Sequence, residues 1–289
     1  MIQQNHKSCI KRWTAHFMVL AITVCLFSGC TAKKEEKKET VTPKPTYEKV
    51  NQEEETASNL GLWTRAMGSV LIYINDGNPY YFGGYQTTED NKEAAVRILS
   101  QSWNINSRKD LLKQIKILLV QGDRKEYVKE AKEMKSMSKK KLKTAMKQLS
   151  GDILIHYETV QYNWKKWKKK GLLAWDMCRI SHLVQWGYVA GYLTVREAQA
   201  LIEPAAKRLQ KNFKSWEEVQ NNWLDGYCLY ADVDRTADGN EYVNRKTVYE
   251  KLRDNQTKKN LLYDDKLFTD EIIPLSDISY QTILEEIKK

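Results

Sequence analysis

Across 289 residues the chain carries nine Trp and sixteen Tyr but only 13 Gly and 5 Pro, which excludes a low-complexity polymer and predicts a folded protein with aromatic packing. The formal charge of +10 is a modest excess of 47 basic over 37 acidic side chains. Residues 57–289 are long enough to bury a substantial core and are the right size for one domain.

The chain opens with the three regions of a secretory signal: basic Lys7, Lys11 and Arg12, an apolar run from Phe17 to Phe27, and small Ser28 and Gly29 before Cys30. The apolar run falls short of the ~20 residues that span a bilayer, so cleavage is expected, leaving residues 1–29 as the removed signal. Leu26-Phe27-Ser28-Gly29-Cys30 resembles the bacterial lipobox, in which a small residue precedes a cysteine that receives lipid; Phe27 stands three before the cysteine, with Leu26 displaced by one. An uncleaved anchor, or an ordinary signal with an incidental cysteine, is the alternative. Lipid on Cys30 would hold the chain on the extracytoplasmic face of the cell membrane, since two acyl chains anchor stably where one does not. Residues 30–56, with mixed charge and Pro43 and Pro45 but almost no apolar side chains, read as a flexible tether.

Helical periodicity runs through nearly all the rest. Asn59 to Ile74 is apolar at helical spacing and meets the breaker Asn75-Asp76-Gly77-Asn78-Pro79; Glu89 to Trp103 is a second helix. Only Tyr73 to Tyr85, rich in Tyr and Gly, suggests a small hairpin. Ser107 caps a helix with Asp110 in its first turn, and Gly122 stops it. The lysines concentrate at Lys135, Lys139, Lys140, Lys141, Lys143 and Lys147 and in Lys165-Lys166-Trp167-Lys168-Lys169-Lys170. They read as a solvated face or, with Trp164 and Trp167 beside them, as an interfacial contact. Export makes anionic lipid headgroups or wall polyanions, and not nucleic acid, the expected partners of such a patch. From Leu172 to Ala190 apolar residues cover so much of a helix that it must be buried, and Gly187 and Gly191 would let another helix approach. Asp176 and Arg179 lie three apart on that apolar stripe, so the pair, or one member with a distant partner, must be hydrogen-bonded inside the fold, as a structural ion pair or as the polar floor of a cleft. Thr194-Val195-Arg196-Glu197 and Ser215-Trp216-Glu217-Glu218 are capping boxes that open two further helices. Nothing alternates strand and helix, so the fold class is all-α.

Several spaced strings carry a family resemblance. Ala174-Trp175-Asp176-Met177-Cys178-Arg179, Trp186-Gly187-Tyr188-Val189-Ala190-Gly191-Tyr192, Phe213-Lys214-Ser215-Trp216-Glu217-Glu218 and Leu224-Asp225-Gly226, preceded by Trp63 with Ala66, Arg97-Ile98-Leu99, Trp103-Asn104-Ile105 and the turn from Leu118 to Gly122, resemble the bacterial family named domain of unknown function (DUF) 1266. The likeness covers about residues 61–230, and Asn104 stands where that family often has Gly. It implies a compact α-helical domain and no particular activity; Trp175, Asp176, Arg179, Trp216 and Gly226 are the motif residues it carries over, without a role.

Other chemistry has few parts. His156 and His182 have no second His or Cys at metal-ligand spacing, and there is no G-x-S-x-G elbow, no S-x-x-K in a setting that suits catalysis and no phosphate loop. If Asp234 opened a calcium loop, Gly239 would fall at position six but Arg245 at twelve, where a Glu belongs, so an Asx turn is the default. Cys178 and Cys228 are either a disulfide or two buried thiols. Trp216, Trp223, Tyr227 and Tyr230 follow helical spacing and read as core. No catalytic, cofactor or metal residue is assigned. The expected function is that of a membrane-anchored binding module with an envelope protein, wall or lipid partner; the alternatives are an envelope hydrolase using Asp176 with Glu197 or Glu217, and a structural spacer.

Overall fold

The computed structural model describes residues 59–255 and 262–288; the expected signal, Cys30 and the expected tether lie outside the described residues. In chain order come α1 (Asn59–Ile74), α2 (Glu89–Trp103), α3 (Arg108–Val120), α4 (Arg124–Ser136), α5 (Lys139–Met146) and α6 (Gly151–Trp167). After a 3-10 turn (Lys168–Lys170) follow α7 (Leu173–Val189), α8 (Val195–Asn212), α9 (Trp216–Ala231), α10 (Glu241–Asp254), α11 (Asp265–Thr269) and α12 (Tyr280–Glu285). There is no strand among the described residues, and the fold is all-α.

Short-range chemistry sets most boundaries. Thr88, Ser107 and Ser138 each accept a hydrogen bond from the amide three residues on, meeting a donor that the first helical turn leaves free. At α8 the capping box is complete, with the Thr194 side chain taking the Glu197 amide and Glu197 taking the Thr194 amide. At α9 only half forms: Ser215 takes the Glu218 amide, whereas Glu218 accepts from the Lys214 amide at 2.7 Å and pairs with Lys170. α2 closes on Asn104 in the left-handed region at φ 54°, its amide bonding Leu99 O and Ser100 O. Asn suits that conformation, being among the few L-residues that tolerate it.

Helix α7 is the axis of the domain. All of its residues from Ala174 to Gly187 are buried, and α1, α2, α3, α8 and α9 pack around it. Gly187 allows the α3 contact, for a Cβ there would sit 2.5 Å from Leu111 Cδ2. Gly191 plays a different part from the one its spacing suggests: α7 has ended, and Gly191, at φ 76°, shapes a Schellman closure in which the Tyr192 amide reaches Gly187 O at 2.8 Å. α1 is buried almost all round, and α10 and α11 lie against it. The segment Tyr73 to Tyr85 is not a hairpin. Gly83 and Gly84 both have positive φ, Phe82 is buried edge-on against Tyr188, and the Gly83 amide bonds Gln185 Oε1 at 3.1 Å. Packing onto α7 therefore takes the place of a strand ladder.

The C-terminal stretch is fastened back by polar contacts. Arg108, at the start of α3, grips Glu197 and Glu286 at 2.7 and 2.9 Å, and Arg196 pairs with Asp277.

Candidate functional site

Two of the family-motif charges meet Asp123 and Arg124, the residues straight after the helix-stopping Gly122. Asp176 is fully buried and accepts from the Asp123 amide at 2.9 Å, the Arg124 amide at 3.2 Å and the Arg124 guanidinium at 2.7 Å. Arg179 reaches the other way, to the Asp123 carboxylate, and lies only within 3.9 Å of Asp176. The two charge pairs are thus crossed between α7 and the α3–α4 turn, and both carry opposite charges in contact.

The turn is built for this. Gly122 has φ 53° and packs so close to Asp176 that a Cβ would overlap its carboxylate. Arg124 also donates to Leu118 O and Leu119 O at 2.7 and 2.8 Å, and Arg208 reaches Leu119 O, so arginines satisfy the last carbonyls of α3. Trp175 donates its indole N–H to Asp123 at 3.1 Å, and the Arg179 guanidinium lies over the rings of Trp103, Trp175 and Tyr230 at 4.6, 5.1 and 5.7 Å. Gly226 belongs to the same node, for a Cβ on it would overlap Trp175 and force α9 off α7. Trp216 is elsewhere, tilted against Trp63 with ring centroids 4.4 Å apart and donating to Asp264 O at 3.0 Å.

Burial pushes the Asp176 carboxyl up to about 6, the Asp123 charge adds to this, and Arg179 and Arg124 pull it back. Such a value would suit an acid or base, but both oxygens already accept from protein N–H groups and no surface of Asp176 is open. Glu197 is held below the usual carboxylate range by Arg108 and the Thr194 cap, which outweigh its burial. Glu217 is exposed on the first turn of α9. Of the three carboxylates considered as an acid–base set, Asp176 and Glu197 have separate partners and Glu217 is exposed, and the Asp176–Arg179 couple is an architectural latch whose outer edge is the half-exposed Asp123.

A second buried acid was not singled out by sequence. Asp225 on α9 accepts from Lys166 at 2.9 Å, Trp167 at 2.7 Å and Arg235 at 2.9 Å. It makes Trp167 a core residue, whereas Trp164 stays half-buried under Lys135. The signal for Asp225 was an acid on an apolar helix between Leu224 and Gly226; the signal for Asp123 and Arg124 was an opposite-charge pair straight after a helix-stopping glycine.

Both histidines are structural. His156 bridges Glu130 and Asp232, each at 3.2 Å; burial alone would lower it, but the two carboxylates outweigh that and hold it at about 9. His182, wholly buried beside Trp186 and Trp223, is pushed down to about 3 by desolvation, with Arg179 and Arg245 adding to the shift, and is neutral. Asp234 forms the Asx turn, accepting from the Thr236 amide at 2.8 Å, and Arg245 pairs with Glu241 over the ring of Tyr227. Cys178 and Cys228 are free and buried. Trp216, Trp223 and Tyr227 are core, and Tyr230 packs at a tilt against Trp175 with ring centroids 5.3 Å apart. Among the described residues no group of His, Cys, Asp and Glu is arranged to hold a metal ion, and no helix is long and apolar enough to cross a membrane.

Comparison with curated proteins and with solved structures finds no match. Residues 98–262, more than half of the chain and inclusive of both the Gly122–Arg124 turn and the α7 motif, match the model of the family described as protein of unknown function (DUF1266), and the chain belongs to that family.

Proposed function

We propose that the protein is a lipid-anchored binding module on the extracytoplasmic face of a bacterial cell envelope. The observation that carries the reading is the order of features at the N-terminus: basic start, short apolar run, Leu26-Phe27-Ser28-Gly29-Cys30, then a charged, proline-bearing stretch up to residue 56. The way the motif residues are used supports the binding half of the reading. Trp175, Asp176, Arg179 and Gly226 are spent on holding α7, α9 and the α3–α4 turn together, so the surface is what remains to meet a partner.

The test is expression of the full chain and of Cys30→Ala in a bacterial host fed a labelled fatty acid, followed by fractionation. Wild type should take up label and sediment with membranes, and Cys30→Ala should do neither. Retention of unlabelled Cys30→Ala in the membrane fraction would overturn the anchor. A pull-down from detergent-solubilised envelopes then tests binding, and recovery of nothing with the lipidated form counts against it.

A further inference from the structure

Lysines on this surface fall into those with a carboxylate partner and a run on one helix without one. Lys129, Lys166, Lys170 and Lys207 each pair with a carboxylate. Lys139, Lys140, Lys141, Lys143 and Lys147 are exposed and, among the described residues, none of them makes an ion pair. Their helix, α5, has no buried residue; it rests on the core only through half-buried Leu142 and Met146. A helix so weakly packed, with lysine at four of its eight positions, gains little stability from where it lies.

One contact relates the end of the preceding helix to the second lysine run. Lys135, at the end of α4, places its Nζ 5.8 Å from the centroid of the Trp164 ring on α6, and α5 begins four residues later. Exposed Lys165, Lys168 and Lys169 follow Trp164 directly. Trp164 is half-buried and has the Lys135 ammonium group over its ring. Lysines around a partly exposed indole are the composition of a membrane-interface contact, where the cations meet headgroup phosphates and the ring sits at their level.

We propose that α5, Lys135, Trp164 and the lysines of 165–169 form a docking face for an anionic lipid surface, which lays the domain down on the membrane that holds its anchor. The proposal deepens the lipid-anchor reading and rests on it. The stretch 31–58 limits the distance from Cys30 to α1 to about 100 Å even if fully extended, so the face never leaves the neighbourhood of the bilayer. Tethering makes the contact intramolecular, and a weak electrostatic attraction then suffices to orient the domain. A half-buried indole beside the lysines suits a headgroup interface better than a purely anionic polymer, and this decides for lipid over a wall polymer.

The experiment uses the full chain as Cys30→Ala, which removes the lipid and leaves the face intact, in cosedimentation with vesicles of phosphatidylcholine alone and of phosphatidylcholine mixed with phosphatidylglycerol. The parent should prefer the anionic vesicles, and salt should weaken the preference. Changing Lys139, Lys140, Lys141 and Lys143 together to Gln should reduce that preference on the order of a hundredfold, at roughly fivefold per lysine before screening, without moving the thermal midpoint. Charge reversal by Lys140→Glu with Lys143→Glu should act in the same direction. A quadruple variant that still prefers anionic vesicles like its parent overturns the proposal, and so does a parent that shows no preference or prefers soluble polyphosphate to vesicles. The anchor reading is judged separately by label on Cys30: if labelling succeeds while the vesicle preference fails, the docking face alone is lost.

Discussion

Replacing Asp176 by Asn tests whether the crossed charge pairs hold the domain together. Asn keeps the size of the side chain but has one acceptor oxygen where Asp has two. Asp176 uses Oδ1 for the Asp123 amide at 2.9 Å and Oδ2 for the Arg124 amide and guanidinium at 3.2 and 2.7 Å. In its better rotamer Asn keeps the oxygen towards Arg124 and turns its NH2 on the Asp123 amide, stranding one donor at about 1–3 kcal/mol. It also leaves the guanidinium, only 16% exposed, without its counter-charge, although the desolvation that raises Asp176 to about 6 is relieved. The net loss should be about 3 kcal/mol, or roughly 6–12 °C in melting temperature for a domain of this size. Urea unfolding of wild type, Asp176→Asn, Arg124→Met and the double variant gives the coupling, which should exceed about 1 kcal/mol because the residues share one network. A single variant within about 0.5 kcal/mol of wild type, with no coupling to Arg124, would refute the latch. It would also reopen the reading of Asp176 as a catalytic group.

Gly226→Ala should destabilise by about 1–3 kcal/mol in the same assay, because the added methyl overlaps Trp175; helix propensity alone would give the opposite sign, a gain of about 1 kcal/mol. A rise in pH should weaken the fold through His156. Its folded value of about 9 lies above the ordinary 6.5, so its contribution is complete below pH 6.5 and is lost as pH passes 9; up to about 3 kcal/mol is at stake, and Asp176 and His182 titrate lower and leave this limb alone. Urea midpoints should decline over that window in wild type and stay flatter in His156→Gln. Cys178 and Cys228 should resist a thiol reagent in the native state and both react after unfolding, since burial raises the Cys228 thiol to about 12 and the Cys178 thiol further; rapid native labelling of either would contradict the packing.

What could be read from sequence was what neighbours in the chain decide. Ser107, Thr194 and Ser215 announce helix starts because a cap needs only the amide three residues on. Asp176 and Arg179 stand out because charges on an all-apolar helix demand partners, but the partners sit 53 and 56 residues upstream in a turn that looks solvated. Trp164 and Trp167 are alike in sequence; a hydrogen bond to Asp225, 58 residues on, makes only the second a core residue. The spacing of Gly187 and Gly191 suggested one helix face, yet the second glycine closes the helix, since positive φ and not proximity is what it supplies. Tyr73 to Tyr85 failed as a hairpin for the same reason, with Gly83 and Gly84 bending the chain onto α7.

The family match and the folding unit do not have the same edges. Residues 98–262 contain the latch whole, from Gly122 to Gly226, but omit α1 and everything after residue 262. Trp63 on α1 is fully buried and packs at a tilt against Trp216 inside the matched range, while Phe268 beyond it packs on both rings at 5.5 and 5.2 Å. Arg108 draws Glu197 and Glu286 together across the same boundary. Cutting the chain at the family limits would bare Trp216 and most of the α1-facing side of α7 and α8, two helices that bury α1 directly. The matched residues therefore encode the latch around which the domain is organised, and the outer helices complete a core that the latch alone cannot close.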